Sequence, residues 1–142
     1  MSAIWSRRPD LAGMVEHSRN TAVEAMGIEY TEVGDDFVRG RMPVDHRTHQ
    51  PFGILHGGAS VLLAETLGSM AANHCLRSEN QVAVGLDINA NHLRSVTSGW
   101  VTGTARPIHL GSSTQVWEII IENEQGKKTC ISRLTMAVVD RR

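Results

Sequence analysis

GASVLLAETLGSMAA, running from Gly58 to Ala72, is the most apolar stretch of the chain, and Glu65 is the one charged residue in it. The segment lacks proline and sets small or aliphatic residues on almost every face, which predicts a helix buried nearly all round rather than one with a wet side. It is too short to span a bilayer. A carboxylate placed there must be paired, be relieved by water in a cavity, or shift its pKa, because desolvating a lone charge is costly. A structural ion pair with an arginine satisfies that demand as well as a catalytic role does.

Immediately upstream, HQPFGILHGG spans His49 to Gly58. Pro51 and Gly53 forbid a continuous helix, and Gly57 and Gly58 open the apolar run with no side chain beyond hydrogen. The first amides of a helix lack internal partners and carry partial positive charge, so a start bared by glycines lets a ligand oxygen approach backbone N–H groups. An ordinary glycine-rich loop is the competing account. Gly57 and Glu65 are eight residues apart, which along one helix is roughly 12 Å. An oxyanion donor and a base or nucleophile must both reach one reacting group within roughly 3 to 3.5 Å. If both serve one site, the second comes from another copy of the chain, which predicts a dimer with composite sites about a two-fold axis. Ser69, one turn after Glu65, shares its helix face and is placed to hydrogen-bond it or hold a water.

The run QPFGILHGGASVLLAETLGSMA, followed by GLDINANHLRS and PIHLGSSTQVW, closely resembles the hotdog-fold acyl-CoA thioesterases. The likeness is greatest to the branch that includes 1,4-dihydroxy-2-naphthoyl-CoA thioesterase of menaquinone synthesis and the proofreading thioesterase of enterobactin synthesis, and it runs from about Gly27 to Val139. The resemblance implies an α+β hotdog fold, an antiparallel sheet wrapped around a long central helix. It also implies hydrolysis of an acyl-CoA, with an aromatic acyl group suggested by the branch. Glu65 matches the catalytic carboxylate, the Gly57 amide the group that polarises the thioester carbonyl, and Gln50 and His56 the polar groups lining the same site. Ser69 matches the hydroxyl that assists the water or the carboxylate. Glutamate at 65 sets the pattern apart from the phenylacetyl-CoA branch, which usually has aspartate there. Gly85, His92, Leu93, Arg94 and Ser95, with His109, Leu110, Gly111, Ser112, Ser113 and Thr114, match segments that contact coenzyme A. Similar proteins form dimers that pair again into tetramers, and no cofactor is implied.

Composition agrees. The 142 residues suit one domain over 1–142, long enough to bury around two thirds of the unfolded surface. A formal charge of −1 gives no electrostatic case for nucleic acid. Two cysteines, Cys75 and Cys130, make no disulfide framework and suit a reduced, cytoplasmic protein. MSAIWSRRPDLAG has basic residues without an apolar core after them, so neither a secretory signal nor a membrane anchor is expected. His46, His49 and His56 cluster and His92 and His109 follow, but the spacings match no zinc signature, so no metal is expected. His56 is instead a residue that hydrogen-bonds the loop or the substrate, and His92 falls at a strand's end.

Along the chain, Pro9 or Asp10 begins a helix expected to run to about Met26 and end at Gly27. Short strands flank the Gly34-Asp35-Asp36 turn. Val82, Val84, Leu86, Ile88 and Ala90 alternate with Ala83, Gly85, Asp87, Asn89 and Asn91, the period of a strand with one buried face. Further strands fit about 99–108, 114–122 and 127–139, separated by HLGSS and NEQG. An antiparallel sheet curled around one apolar helix follows from that order.

Thioester hydrolysis then sets the carbonyl oxygen against the Gly57 amide, while Glu65 of the partner subunit attacks directly or activates water. Arg94 or Arg106, with the Gly111-Ser112-Ser113 turn, suits the phosphates of coenzyme A. Phe52, Leu55 and Met70 are candidates for the acyl pocket, although core packing explains each as readily. A hotdog hydratase or dehydratase using Glu65 with His56, and a noncatalytic acyl-CoA-binding protein, are the other classes in play.

Overall fold

The computed structural model describes residues 2–141. Helices α1 (Leu11–His17) and α2 (Ala22–Ala25) precede a hairpin of β1 (Glu29–Val33) and β2 (Val38–Pro43). The long helix α3 (Gly57–Ala72) follows, then β3 (Gln81–His92), β4 (Trp100–Leu110), β5 (Thr114–Glu122) and β6 (Lys128–Asp140). The strands form one antiparallel sheet in the order β1-β2-β4-β5-β6-β3, with α3 against its inner face. This is the α+β architecture expected from the sequence.

Helix α3 is divided by burial, not by hydrophobicity. Ser60, Leu63, Ala64, Leu67, Gly68, Ala71 and Ala72 are buried, the three-and-four spacing of one helix face. Val61, Leu62, Glu65, Thr66, Ser69 and Met70 are half-buried. The expectation of a helix buried nearly all round is therefore corrected: the sheet covers one face and the other lines a cleft. Apolar residues occur on both faces, so composition alone hides the division.

The helix seats closely because the sheet offers it glycines. Gly40 and Gly103 pair across β2 and β4, and a Cβ on either would stand 2.8 Å from a Leu67 methyl. Leu67 fills that gap and is fully buried. Leu67→Ala is expected to cost about 3 kcal/mol in denaturant unfolding, the transfer loss plus a cavity; a loss under about 1 kcal/mol would mean that the sheet collapses into the gap.

Two local expectations are also corrected. The helix predicted through Met26 breaks after His17: Asn20 takes a left-handed φ of 59°, and the Thr21 hydroxyl caps α2 by accepting from the Val23 N–H. Caps and turns favour Ser, Asn and Thr, so Ser18, Asn20 and Thr21 hold the signal. In β3, Ala83 is buried while Val84 and Leu86 are 44% and 65% exposed. A bulge between Gly85 and Asp87 interrupts the alternation, and β3 is an edge strand with β6 as its one neighbour.

Candidate active site

The loop entering α3 is pinned by backbone bonds. Val44 N–H donates to the Gly99 carbonyl, Leu55 N–H to Val96 and His56 N–H to Thr48, each at 2.8 Å. The buried Thr48 hydroxyl donates to the Pro43 carbonyl at 2.8 Å. These bonds deliver His56 as the N-cap of α3, where its Nδ1 accepts from the Gly58 N–H at 2.8 Å. An accepting Nδ1 assigns the proton of the neutral ring to Nε2. Ala59 and Ser60 N–H groups both donate to the His56 carbonyl, at 3.0 and 3.2 Å. Of these first-turn amides, the Gly57 N–H alone meets no acceptor among the described residues. It is a free donor at the positive end of the helix dipole.

His92 reaches the same point from the end of β3. A Cβ on Gly57 would lie 3.0 Å from His92 Nε2, so the imidazole rests against bare backbone. Gln50 folds its side-chain oxygen onto the Phe52 N–H, and Phe52, at the loop tip, is 90% exposed.

Glu65 lies elsewhere, in a cleft of about 1070 Å³ bounded by α3 and the N-terminal elements, with Ser69 and Met70 on the same wall. No arginine, lysine or histidine forms an ion pair with it among the described residues. The purely structural ion pair thus lacks its cation among the described residues of the protomer. The carboxylate instead touches Gly85, where an added Cβ would collide with Glu65 Oε2. Gly85→Ala is therefore expected to turn the carboxylate aside and lower kcat by on the order of tenfold to a hundredfold, the penalty of small misplacement. Steady-state kinetics checks this, and an unchanged kcat would detach the carboxylate's position from turnover.

Helix α3 runs antiparallel to β3. At its end, Asn73 Nδ2 donates to the Ala83 carbonyl at 3.1 Å and Asn73 Oδ1 accepts from the Ala83 N–H at 2.9 Å; at its start Gly57 meets His92. Gly85 pairs with Met136 and His92 with Cys130, a separation of about 20 Å along the sheet. One protomer therefore keeps the free amide and the carboxylate apart. The proposed coenzyme A segments divide the same way. Thr114 pairs with Ala137, so the His109 to Thr114 turn lies at the Glu65 end. Leu93 follows His92 and donates to the Thr129 carbonyl at 2.8 Å, so His92, Leu93, Arg94 and Ser95 lie at the Gly57 end. The acyl candidates also separate: Met70 lines the cleft, Leu55 packs against the core and Phe52 projects outward. Arg94 is exposed, whereas Arg106 pairs with Asp36 at 3.3 Å and stacks over Phe37 at 4.8 Å, which commits it to the β1–β2 turn.

The sequence profile of the thioesterase superfamily matches residues 52–130. The chain belongs to the thioesterase superfamily. Proofreading thioesterase EntH of Cronobacter turicensis is 53% identical over 136 residues, covering 96% of this chain and 98% of that protein. The crystal structure of a Haemophilus influenzae thioesterase matches at a TM-score of 0.93 and 52% identity, covering 96% of this chain and 95% of its own. A glutamine-to-alanine mutant thioesterase from Pseudomonas aeruginosa matches at 0.95 and 49%, covering 97% and 99%. The fold is the hotdog fold, and the protein is a thioester hydrolase.

Neither thiol of this thioesterase is prepared as a nucleophile. Burial pushes Cys75 up to about 12 and also raises the buried Cys130, away from the thiolate that attack requires. Among the described residues no three His, Cys, Asp or Glu side chains are grouped to hold a metal ion, and no helix is long and apolar enough to cross a membrane. Two features of the thioesterase site escaped the sequence reading. Gly85, expected among the coenzyme A contacts, lies against the Glu65 carboxylate, a seat signalled by a glycine inside a strand; and the far wall of the cleft, formed by α1 and β1, had no motif to announce it.

Proposed function

We propose that this thioesterase hydrolyses acyl-CoA esters, with aromatic acyl groups favoured, in sites shared by two protomers. The observation that carries the proposal is the Gly57 N–H, without an acceptor among the described residues, beside His92 at one end of α3, and Glu65, ion-paired to none of the described cations, on Gly85 further along. Each is half of a site. The open edge of β3, with Val84 and Leu86 exposed, supplies a way to join them. Met136 and Cys130 are equidistant from Arg133, which pairs with Asn89. Antiparallel pairing of two β3 edges about an axis near Asn89 sets Gly85 of one protomer opposite His92 of the partner subunit. Adjacent strands lie about 4.8 Å apart, so Glu65 then approaches the partner's Gly57. The same operation unites the His92 to Ser95 segment with the partner's His109 to Thr114 turn, as one coenzyme A would need. Two such dimers form the tetramer, each chain being a single hotdog domain in the cytoplasm.

In this site the thioester carbonyl oxygen accepts from the Gly57 N–H, where the helix dipole favours the charge that grows on it. The His56 Nε2–H is a second donor nearby, since Nδ1 is occupied by Gly58. Glu65 either attacks the carbonyl carbon, giving an anhydride that water then opens, or takes a proton from water as hydroxide adds. The C–S bond breaks, and coenzyme A leaves as a thiolate that takes up a proton. Gln50 completes the polar lining, and Ser69 is one turn from Glu65, placed to hold the water.

Free-thiol release from a panel of aromatic and aliphatic acyl-CoA esters tests the proposal. Rapid cleavage of aromatic esters is the expected result. Hydration of crotonyl-CoA without thiol release by a folded dimer would instead identify a hydratase, and binding without any turnover an acyl-CoA-binding protein.

A further inference from the structure

Asn73, the C-cap of α3, does for β3 what a neighbouring strand would do. In the antiparallel ladder Ala83 stands opposite Val138, and the Val138 N–H donates away from β3, to the Ser113 carbonyl at 2.9 Å. Ala83 is thus a position where the ladder makes no bond, and its N–H and C=O point to the open edge. The residue is only 3% exposed, and a buried backbone group without a partner is costly. The Asn73 side chain meets both groups: Oδ1 accepts from the Ala83 N–H at 2.9 Å, and Nδ2 donates to the Ala83 carbonyl at 3.1 Å. The other Nδ2 proton goes to the Ser69 carbonyl at 2.9 Å. A flipped amide would set its oxygen against two carbonyls, so the three bonds fix its orientation.

This bracket joins the two elements that meet at Glu65. Among the described residues no other hydrogen bond links α3 to β3. Leu63, Ala64, Leu67 and Ala71 hold the helix by apolar contact, which is non-directional, whereas the paired bonds of Asn73 set both distance and angle. Glu65, Ser69 and Asn73 recur at every fourth position and line the same cleft, as one stripe of α3. Ala83 and Gly85 are alternate residues of β3 and so face the same side; Ala83 takes the bracket and Gly85 takes the Glu65 carboxylate. The same end of α3 is tied to β5 as well, since Gln115 Nε2 donates to the Ala72 carbonyl at 3.4 Å while its own oxygen accepts from Trp117 Nε1 at 2.9 Å. Resting on the thioesterase reading above, in which Glu65 acts on the ester, we infer that Asn73 is a positioning residue for the hydrolysis: by pairing with Ala83 it locks α3 to β3 and keeps Gly85 beneath the carboxylate.

A double-mutant cycle with benzoyl-CoA as substrate tests this. Asn73→Ala should lower kcat by about tenfold, the scale of a small misplacement, and leave KM within about twofold. Introduced into Glu65→Ala, the same substitution should change kcat by less than about twofold, because no carboxylate is left to misplace. A role in folding alone would lower kcat alike in both backgrounds, and that result, or an unchanged kcat for Asn73→Ala by itself, overturns the inference. Failure of the thioesterase reading looks different: no turnover by the wild type, or full activity in Glu65→Ala, removes the reaction that Asn73 serves and the role with it. Thermal unfolding checks that each variant is folded. If Asn73→Ala is not, Asn73→Asp takes its place in the cycle, since it keeps the size and the acceptor for the Ala83 N–H and loses both donations. Amide hydrogen exchange reads the bracket itself without turnover. The wild-type Ala83 N–H should exchange at least about a hundredfold more slowly than a free amide, and exchange at the free rate overturns the inference.

Discussion

Gly57→Pro is expected to lower kcat by about two to three orders of magnitude, the loss typical when one oxyanion donor is removed, while the protein stays folded. Gly57 is the first residue of α3, the position where proline is best tolerated because its missing N–H bonds nothing within the helix. The residue before it is also compatible: His56 has φ −68° and ψ 131°, in the extended region that a following proline demands. The substitution thus deletes the free amide and little else of the backbone. Its one steric cost is at His92, whose Nε2 lies 3.0 Å from any Cβ at this position and must shift by a few tenths of an ångström. Gly57→Ala isolates that cost, since it adds the same Cβ and keeps the N–H. Kinetics on both variants, with thermal unfolding beside them, should show a large loss for proline and a much smaller one for alanine. Equal losses would assign the effect to His92 and remove the Gly57 amide from the mechanism.

Glu65→Ala should likewise reduce kcat by about a hundredfold or more, with binding of the CoA ester largely retained. The more telling result comes from mixing. If the amide and the carboxylate of one site belong to different protomers, a dimer of one Gly57→Pro chain and one Glu65→Ala chain holds one doubly defective site and one intact site. Random reassortment makes half the dimers mixed, so activity should recover to about a quarter of the wild-type value. The mixture would then exceed either parent by a wide margin. No recovery, with mixed dimers verified by native mass spectrometry, would place both groups of each site in a single chain and sink the composite arrangement. Single turnover in oxygen-18 water separates the two roles of Glu65: label entering its carboxylate marks direct attack, and label confined to the product acid marks general base catalysis.

Much of this was legible in the chain itself. The apolar run, the two glycines before it and the segments after it were enough to specify a central helix and an antiparallel meander, while the thioester chemistry followed from the family resemblance. The strands of β4, β5 and β6 fall within a few residues of their expected bounds, since each alternates buried with less buried residues along much of its length. Less readable were features set by contact rather than by period. The break between α1 and α2 depends on caps at Ser18 and Thr21 that compete with a plausible helical pattern. The exposure of Val84 and Leu86 depends on β3 being last in the sheet, and strand order is a property of pairing.

By itself, the sequence determined which groups are available: a lone carboxylate in an apolar helix, an amide bared by glycine at that helix's start, and a length of helix between them too great for one substrate to bridge. Those conclusions need only local geometry, the rise of a helix and the cost of burying charge. The tertiary structure decided what each group faces. It seated Glu65 on Gly85 and His92 on Gly57, turned the His56 ring onto Gly58 so that the Gly57 N–H meets no acceptor among the described residues, and lined the far wall of the cleft with the hydrogen-bonded hydroxyls of Ser18 and Tyr30. Each of these joins residues distant in the chain, or selects among rotamers that local propensity leaves open. Such contacts are settled by the packing of α1 on β1 and of α3 on β3 and carry no periodic signature of their own.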